Sequence, residues 1–138
     1  MGRIIAIDFG KVRTGLAVTD PLRIIASPLV TVETKHLEKF LEEYFSKEDV
    51  DTIVIGKASR MNGTPSETMR YIEPLLGRLR HCYPQKKVLL FDERFTSVMA
   101  KHAIHLSELS RSAKQDKALV DKVAAAIILQ SYMESVNY

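Results

Sequence analysis

The hydrophobic pattern changes its period about a quarter of the way along the chain, and this change limits the possible folds more than any other feature. Three short strand-like segments come first, at residues 3–9, 14–19 and 24–32. Tight turns join them, which predicts an antiparallel meander. From residue 34 onward, helical patterns alternate with short apolar runs, as is typical of parallel strands connected by helices. We therefore expect an α/β fold with a mixed five-stranded sheet flanked by helices.

Six further segments complete the predicted order β-β-β-α-β-α-β-α-α. Thr34 is the expected N-cap of the first helix, and Pro28 suits an edge strand or a bulge. Pro74 should kink or divide the second helix. The predicted segments are a helix from Thr34 through 37–45, a strand at 52–55, a helix from 64 towards 81, a strand at 88–91, and helices at 96–107 and 112–136.

Length and composition indicate one ordinary globular domain over residues 1–138. Cys82 is the only cysteine, so no intrachain disulfide can form, which suits a reducing cytoplasm. The chain enters a strand pattern at its first residues, and its longest apolar run, 123–129, is too short to cross a bilayer. We expect a soluble cytoplasmic protein that is not attached to a membrane.

The positive charge is concentrated in one segment, although the formal net charge is only +3. Within residues 57–87, seven bases stand against two acids, Glu67 and Glu73. Such a patch would suit phosphate groups, because each neutralised phosphate releases counterions. A solvated helix face explains it equally well. The seven bases are Lys57, Arg60, Arg70, Arg78, Arg80, Lys86 and Lys87.

Three acidic residues stand where the predicted fold has no structural need of them. Asp8 ends an aliphatic strand, Glu93 follows the last strand, and Asp121 continues an alanine-lined helical stripe. Structural roles stay open for each of them. Asp8 could accept bonds from the turn that follows it, Glu93 could pair with Arg94, and Asp121 could interact with the helix dipole.

These three carboxylates would repel one another if they converged at one end of the sheet, unless they bound protons or a hard cation. Mg²⁺ prefers oxygen ligands, so a few carboxylates and a substrate phosphate suffice to hold it. Zinc is not expected, because the cysteine and histidines lack ligand spacing. Lys11 and Arg13, in the turn beside Asp8, would hold flanking phosphates, or Lys11 would simply be a solvated turn residue.

Three motifs, in order along nearly the whole chain, strongly resemble the YqgF family. The first is D-F-G-K-V-R-T-G-L-A-V-T-D at residues 8–20. D-E-R-F-T-S at 92–97 is similar to the family's D-E-R-x-T-[TS] signature, and D-K-V-A-A-A-I-I-L-Q at 121–130 to its D-x-x-A-A-x-x-I-L-Q. Each motif alone is weak, but together they are specific.

The resemblance implies a ribonuclease H-like fold and hydrolysis of phosphodiester bonds with two Mg²⁺ or Mn²⁺ ions, held by Asp8, Glu93 and Asp121. Arg94, Thr96 and Ser97 would add phosphate contacts. Family members are regarded as pre-16S rRNA processing nucleases and were earlier assigned as Holliday-junction resolvases. The expected partners are therefore pre-rRNA and ribosomal particles, with branched DNA as the alternative, and the protein would be a monomer or a homodimer.

The segment at residues 57–64 departs from the family. It reads K-A-S-R-M-N-G-T, where relatives usually have L-P-L-N-M-D-G-T. Arg60 replaces the expected amide and Asn62 the expected acid, so the loop is more basic and Arg60 becomes a candidate nucleic-acid contact. Pro74 is also unusual for the family. These differences concern substrate fit and leave the three acids unchanged.

Three other functions compete with an rRNA nuclease. A Holliday-junction resolvase would use the same metals on branched DNA and should form a symmetric dimer. Asp8-Phe9-Gly10 also resembles the phosphate loop of actin-like sugar kinases, but those proteins need a second domain, which we do not expect from a chain of this length. A non-catalytic RNA-binding scaffold would keep the fold without the chemistry, although retention of all three acids argues against it.

Overall fold

The computed structural model describes residues 2–57, 65–91 and 117–136. In this part of the chain, five strands form one sheet in the order β3-β2-β1-β4-β5. β1 pairs antiparallel with β2 and β2 with β3, whereas β1–β4 and β4–β5 are parallel pairs. The predicted mixed sheet is confirmed. The strands are β1 Arg3–Phe9, β2 Arg13–Thr19, β3 Ala26–Glu33, β4 Val50–Lys57 and β5 Lys87–Phe91.

Three helices are described, α1 Leu37–Lys47, α2 Pro65–Cys82 and α3 Lys117–Val136, and a short 3₁₀ turn, Thr34–His36, precedes α1. None of them is long and apolar enough to cross a membrane. The predicted helix at 96–107 and the predicted beginning of the final helix lie outside the described residues. The final helix extends to Val136, the residue at which it was predicted to end.

The alternation of side chains along β1 separates two apolar layers. Ile5, Ile7 and Phe9 belong to the core that is built with α1 and α2. Ile4 and Ala6 belong to the second core, which is built with α3. The sheet is thus covered on both faces, which accounts for the continuous aliphatic sequence of its central strands.

In the edge strand β3, the irregularity predicted at Pro28 is present, but the strand begins two residues later than predicted. The register with β2 shifts between Leu16, which faces Val30, and Ala17, which faces Pro28, so the predicted irregularity at Pro28 is confirmed. The strand begins at Ala26 rather than at residue 24. The Asp20 carboxylate accepts the backbone N–H groups of residues 24 and 25, both at 2.8 Å, and keeps them in the turn.

One local prediction about the helices was wrong, and a second is decided in one of its two alternatives. Thr34 is not the N-cap of α1, because His36 takes that position without a side-chain bond. The Thr34 hydroxyl donates instead to the carbonyl oxygen of Gly10, at 2.6 Å. Pro74 was predicted to kink or divide the second helix, and it does not divide it, because α2 runs through Pro74 as one element. Burial of Ile72 and Leu75 on the sheet offsets the single backbone bond that proline removes.

Candidate active site

Asp8 is the one predicted metal ligand whose side chain the structure describes. It lies one residue before the end of β1 and is only 4% exposed. Its cross-strand neighbours are both glycines, Gly15 in β2 and Gly56 in β4. Because glycine has no side chain, neither neighbouring strand covers the carboxylate from the side. A carboxylate buried to this degree requires polar partners or a cation to offset its lost hydration.

The alternation of β1 places Asp8 on the side of α3, since Ile4 and Ala6 pack against that helix. There α3 approaches the sheet closely. A Cβ atom added to Gly56 would lie 2.6 Å from Cδ1 of Ile128. Asp121 is part of the same helix, about two turns before Ile128, although its side chain is outside the described structure. Three members of its predicted stripe, Ala125, Ile128 and Tyr132, are buried in the core between α3 and the sheet, whereas a fourth, Ala124, is half-buried.

The other predicted site residues lie outside the described part of the chain and stay predictions. Within residues 2–57, 65–91 and 117–136, no three histidine, cysteine, aspartate or glutamate side chains form a group that could hold a metal ion. The predicted donor set consists of carboxylates alone, which suit Mg²⁺ or Mn²⁺ rather than zinc. These outlying residues are Arg60, Glu93, Arg94, Thr96 and Ser97.

The turn that follows β1 is hydrogen-bonded to Thr34, the first residue of the 3₁₀ turn. The backbone N–H of Thr34 donates to the carbonyl oxygen of Val12 at 2.8 Å, and its hydroxyl donates to Gly10. With its hydrogen used in this way, Thr34 accepts from the hydroxyl of buried Thr14, at 2.8 Å. Gly10 is required in this turn, because a Cβ atom there would overlap the carbonyl oxygen of Arg13.

The two predicted phosphate-binding residues of this turn are placed differently. Lys11 is exposed, and its ammonium lies over the ring of Tyr71 in α2, 5.0 Å from the ring centre. It therefore points towards the α1–α2 face, whereas Asp8 points towards α3. Arg13 begins β2, is half-buried, and is in register with Glu33 of the edge strand.

Sequence reasoning missed Thr34 as the residue that holds this turn, and Tyr71 as the ring that receives Lys11. Thr34 carried a signal, a hydroxyl before a helical pattern, but the same signal is typical of an N-cap. Tyr71 carried none, because an aromatic residue within an amphipathic helix is ordinary. Both contacts join segments more than 20 residues apart.

Comparison with known proteins gives the same assignment across the chain. A family model described as "RuvX: Holliday junction resolvase" matches residues 2–135. A Parabacteroides distasonis protein named "Putative pre-16S rRNA nuclease" is 47% identical over 138 residues, which are 100% of this chain and 99% of that protein. A Porphyromonas gingivalis protein of the same name is 50% identical over 135 residues, 98% of each chain.

A solved structure supports the fold independently of sequence. The fowlpox virus resolvase, in a complex with substrate Holliday junction DNA, superposes with a TM-score of 0.61 over 99% of each chain, at 14% sequence identity. At this identity the likeness concerns the fold alone, and it agrees with the expected ribonuclease H-like architecture. RuvX is another name of the YqgF family, whose three motifs the sequence carries. The family match and the full-length relatives show that this chain belongs to the RuvX family of nucleases.

Proposed function

We propose that this protein is a metal-dependent endonuclease that processes the 5′ end of pre-16S rRNA, acting in the cytoplasm on the ribosomal precursor. The observation that carries the proposal is Asp8, a carboxylate buried at the carboxyl end of β1 between two glycines. Open α/β sheets bind their ligands beyond this end of the strands. The names of the relatives supply the substrate, and the exposed, unbridged Cys82 is compatible with a reducing compartment.

Three carboxylates would hold the metal in this proposal. Asp8 comes from β1, the central strand of the sheet, and Asp121 from α3, the helix on the same face. For the third carboxylate we choose Glu93 over its neighbour Asp92, because of the direction in which the side chains of β5 alternate. Leu89 and Phe91 of that strand pack into the α3 core, so continuing the alternation by two residues predicts Glu93 for the same side.

Two bound Mg²⁺ or Mn²⁺ ions would neutralise the phosphate charge, lower the pKa of an attacking water and stabilise the departing oxygen. The protein's own contribution is positioning. Asp8 is held by strands on both sides, so its carboxylate needs little reorganisation during the reaction. Phosphates next to the cleaved bond would be held by six residues that we propose as nucleic-acid contacts, Lys11, Arg13, Arg60, Arg94, Thr96 and Ser97.

The test is cleavage of a pre-16S rRNA 5′ fragment with Mg²⁺, Mn²⁺ or chelator, using the wild type and Asp8→Asn. The substitution keeps the shape of the side chain and removes its charge. We expect cleavage to need the metal and to fall by about 100-fold or more in the variant, because a metal ligand contributes several kcal/mol to the transition state. Asp49→Asn makes the same change at an exposed site at the other end of β4 and should cut normally. Metal-independent cutting, or an active Asp8→Asn protein, would refute the mechanism.

A second candidate is a Holliday-junction resolvase, the activity after which the matching family is described. It would require two copies of the site, so we would expect a symmetric dimer. Four-way DNA junctions, tested beside the RNA, separate the two activities. Symmetric cleavage of the junction with intact RNA would establish the resolvase. Tight binding of RNA without cleavage of either substrate would establish the scaffold function instead.

A further inference from the structure

A groove of about 270 Å³ opens between α1 and α2 at the carboxyl end of β1. Its inner wall is apolar, formed by the buried side chains of Phe9, Leu37 and Leu75. Its rim is polar and exposed, with Arg70 and Tyr71 on α2. Ligand pockets for drug-sized molecules usually measure about 300–1,000 Å³, so this groove suits one flat group such as a nucleobase and excludes a helix.

Two cationic side chains belong to the same part of the surface as the ring. The Lys11 ammonium lies over Tyr71, and the Arg70 guanidinium is exposed beside it in sequence. Glu38, the acid in the described lining, is already paired, since its Oε1 accepts from Nε of Arg78 at 2.8 Å. The groove therefore has an apolar wall, and its rim carries Tyr71, a residue that is 41% exposed, and Arg70, with Lys11 over the tyrosine ring. An electrostatic surface of this kind attracts phosphate.

The groove is also adjacent to the proposed catalytic centre. Phe9 follows Asp8 directly, and their side chains leave opposite faces of β1. The groove thus begins one residue from the carboxylate, on the other side of the strand end. A nucleic-acid strand that passes over the end of β1 reaches both places.

We propose that this groove is a subsite for an unpaired nucleotide next to the cleaved bond. The base inserts beside the Tyr71 ring, and Lys11 and Arg70 bind the neighbouring phosphates. This inference rests on the proposed function and adds a substrate class to it, namely nucleic acid that is single-stranded at this point. Aromatic stacking with flanking cations is how proteins commonly bind single strands. An acidic peptide would use the cations but would have no use for the ring.

The first experiment measures equilibrium binding of a labelled single-stranded RNA of about eight nucleotides to the full chain, by fluorescence anisotropy in chelator, where cleavage is absent. Tyr71→Leu removes the ring and keeps an apolar side chain, and it should weaken binding by about 5- to 100-fold, the usual effect of losing one stacked base. Tyr71→Phe keeps the ring and should stay within about twofold of the wild type, since stacking does not need the hydroxyl.

Charge is tested separately with a matched pair. Arg70→Gln should weaken binding and flatten its salt dependence, whereas Lys47→Gln, an exposed change at the carboxyl end of α1, should do neither. Polyglutamate should compete poorly with RNA. If Tyr71→Leu binds like the wild type, or if polyglutamate competes as well as RNA does, the proposal is overturned.

A second measurement needs no variant. RNA carrying 5-iodouracil, irradiated on the wild-type protein, should cross-link to Tyr71 when peptides are analysed by mass spectrometry. Cross-links confined to other residues would contradict the subsite. Kinetics distinguish this failure from failure of the proposed function. We expect Tyr71→Leu to raise KM with little change in kcat, whereas Asp8→Asn lowers kcat. A wild-type protein that cleaves nothing but still cross-links at Tyr71 would refute the nuclease and retain the subsite.

Discussion

At its amino end β1 is flanked by two ion pairs that join neighbouring segments, whereas at its carboxyl end a buried acid lies between two glycines and an exposed lysine follows. Arg3 pairs with Glu48 at 3.3 Å, and Arg23 pairs with Asp51. The Lys86 ammonium donates to a backbone carbonyl at the same end. The carboxyl end has Asp8 between Gly15 and Gly56. The first arrangement stabilises the fold, whereas the second buries a carboxylate, which lowers stability unless the charge is compensated.

The largest expected effect on stability comes from adding a methyl group at Gly56, the neighbour of Asp8 in β4. Gly56→Ala would press a methyl group against Ile128, so we expect the free energy of unfolding to fall by about 1–3 kcal/mol, as overpacking usually causes. Urea unfolding measures it. The double variant with Ile128→Val removes Cδ1, the nearest atom, and should recover part of the loss. If the losses in unfolding free energy of the two single variants simply added up in the double variant, the contact between Gly56 and Ile128 would not be the cause.

The next largest effect concerns the turn that is hydrogen-bonded to Thr34. Thr34→Val keeps the shape of the side chain but leaves the Gly10 carbonyl and the Thr14 hydroxyl without their partner, which should lower the free energy of unfolding by about 1–2 kcal/mol. KM should also rise, because this turn carries Lys11. Thr34→Ser keeps the hydroxyl and should behave like the wild type in both assays. Normal KM in Thr34→Val would show that the turn holds its position without these bonds.

A smaller effect is expected at the other end of the sheet. Asp51 accepts from both Arg23 and the backbone N–H of Gly2, the latter at 3.1 Å. Arg23 adopts a left-handed conformation with φ of 59°, which this pairing helps to maintain. Since the pair is partly exposed, Asp51→Ala should lower the unfolding free energy by only about 1 kcal/mol. RNA cleavage should be unchanged, and a large loss of cleavage would contradict the separation of the two ends.

The smallest effect is a dependence on pH. Backbone N–H bonds from Ile25 and Ile24 lower the pKa of Asp20 below its ordinary 3.8. A lowered pKa means that the folded state favours the charged carboxylate, so its contribution is present above pH 3.8 and disappears as the pH falls through the folded pKa. Wild type and Asp20→Asn should therefore differ in urea midpoint at pH 7 and converge in strong acid. If the two urea midpoints moved further apart in acid, the folded state would favour the neutral carboxyl of Asp20 instead.

Sequence was a reliable guide to the elements because the apolar period is set by burial on one or two faces. The strand at 3–9 and the end of the final helix came out as predicted. The errors arose where a side chain bonds across the chain. Asp20 holds Ile24 and Ile25 out of β3, and Thr34 bonds to Gly10 instead of capping α1. A linear pattern contains no trace of such partners.

The candidate site was less predictable for the same reason. Asp8 could be singled out because an acid at the end of an aliphatic strand is unusual, and the structure places it, buried, at that strand end. Lys11 was expected to work beside it. Proximity in sequence could not show that the two side chains leave opposite faces, with Lys11 over Tyr71 in a helix 60 residues further along.

That divergence has a consequence for the shape of the substrate. A nucleic-acid strand that contacts Asp8 on one face of the sheet and Lys11 on the other has to bend sharply around the end of β1. Stiff duplexes resist so tight a bend, but a nicked, looped or frayed region follows it with little strain. The geometry at the end of β1 would thus make the protein selective for flexible junctions over continuous double helices.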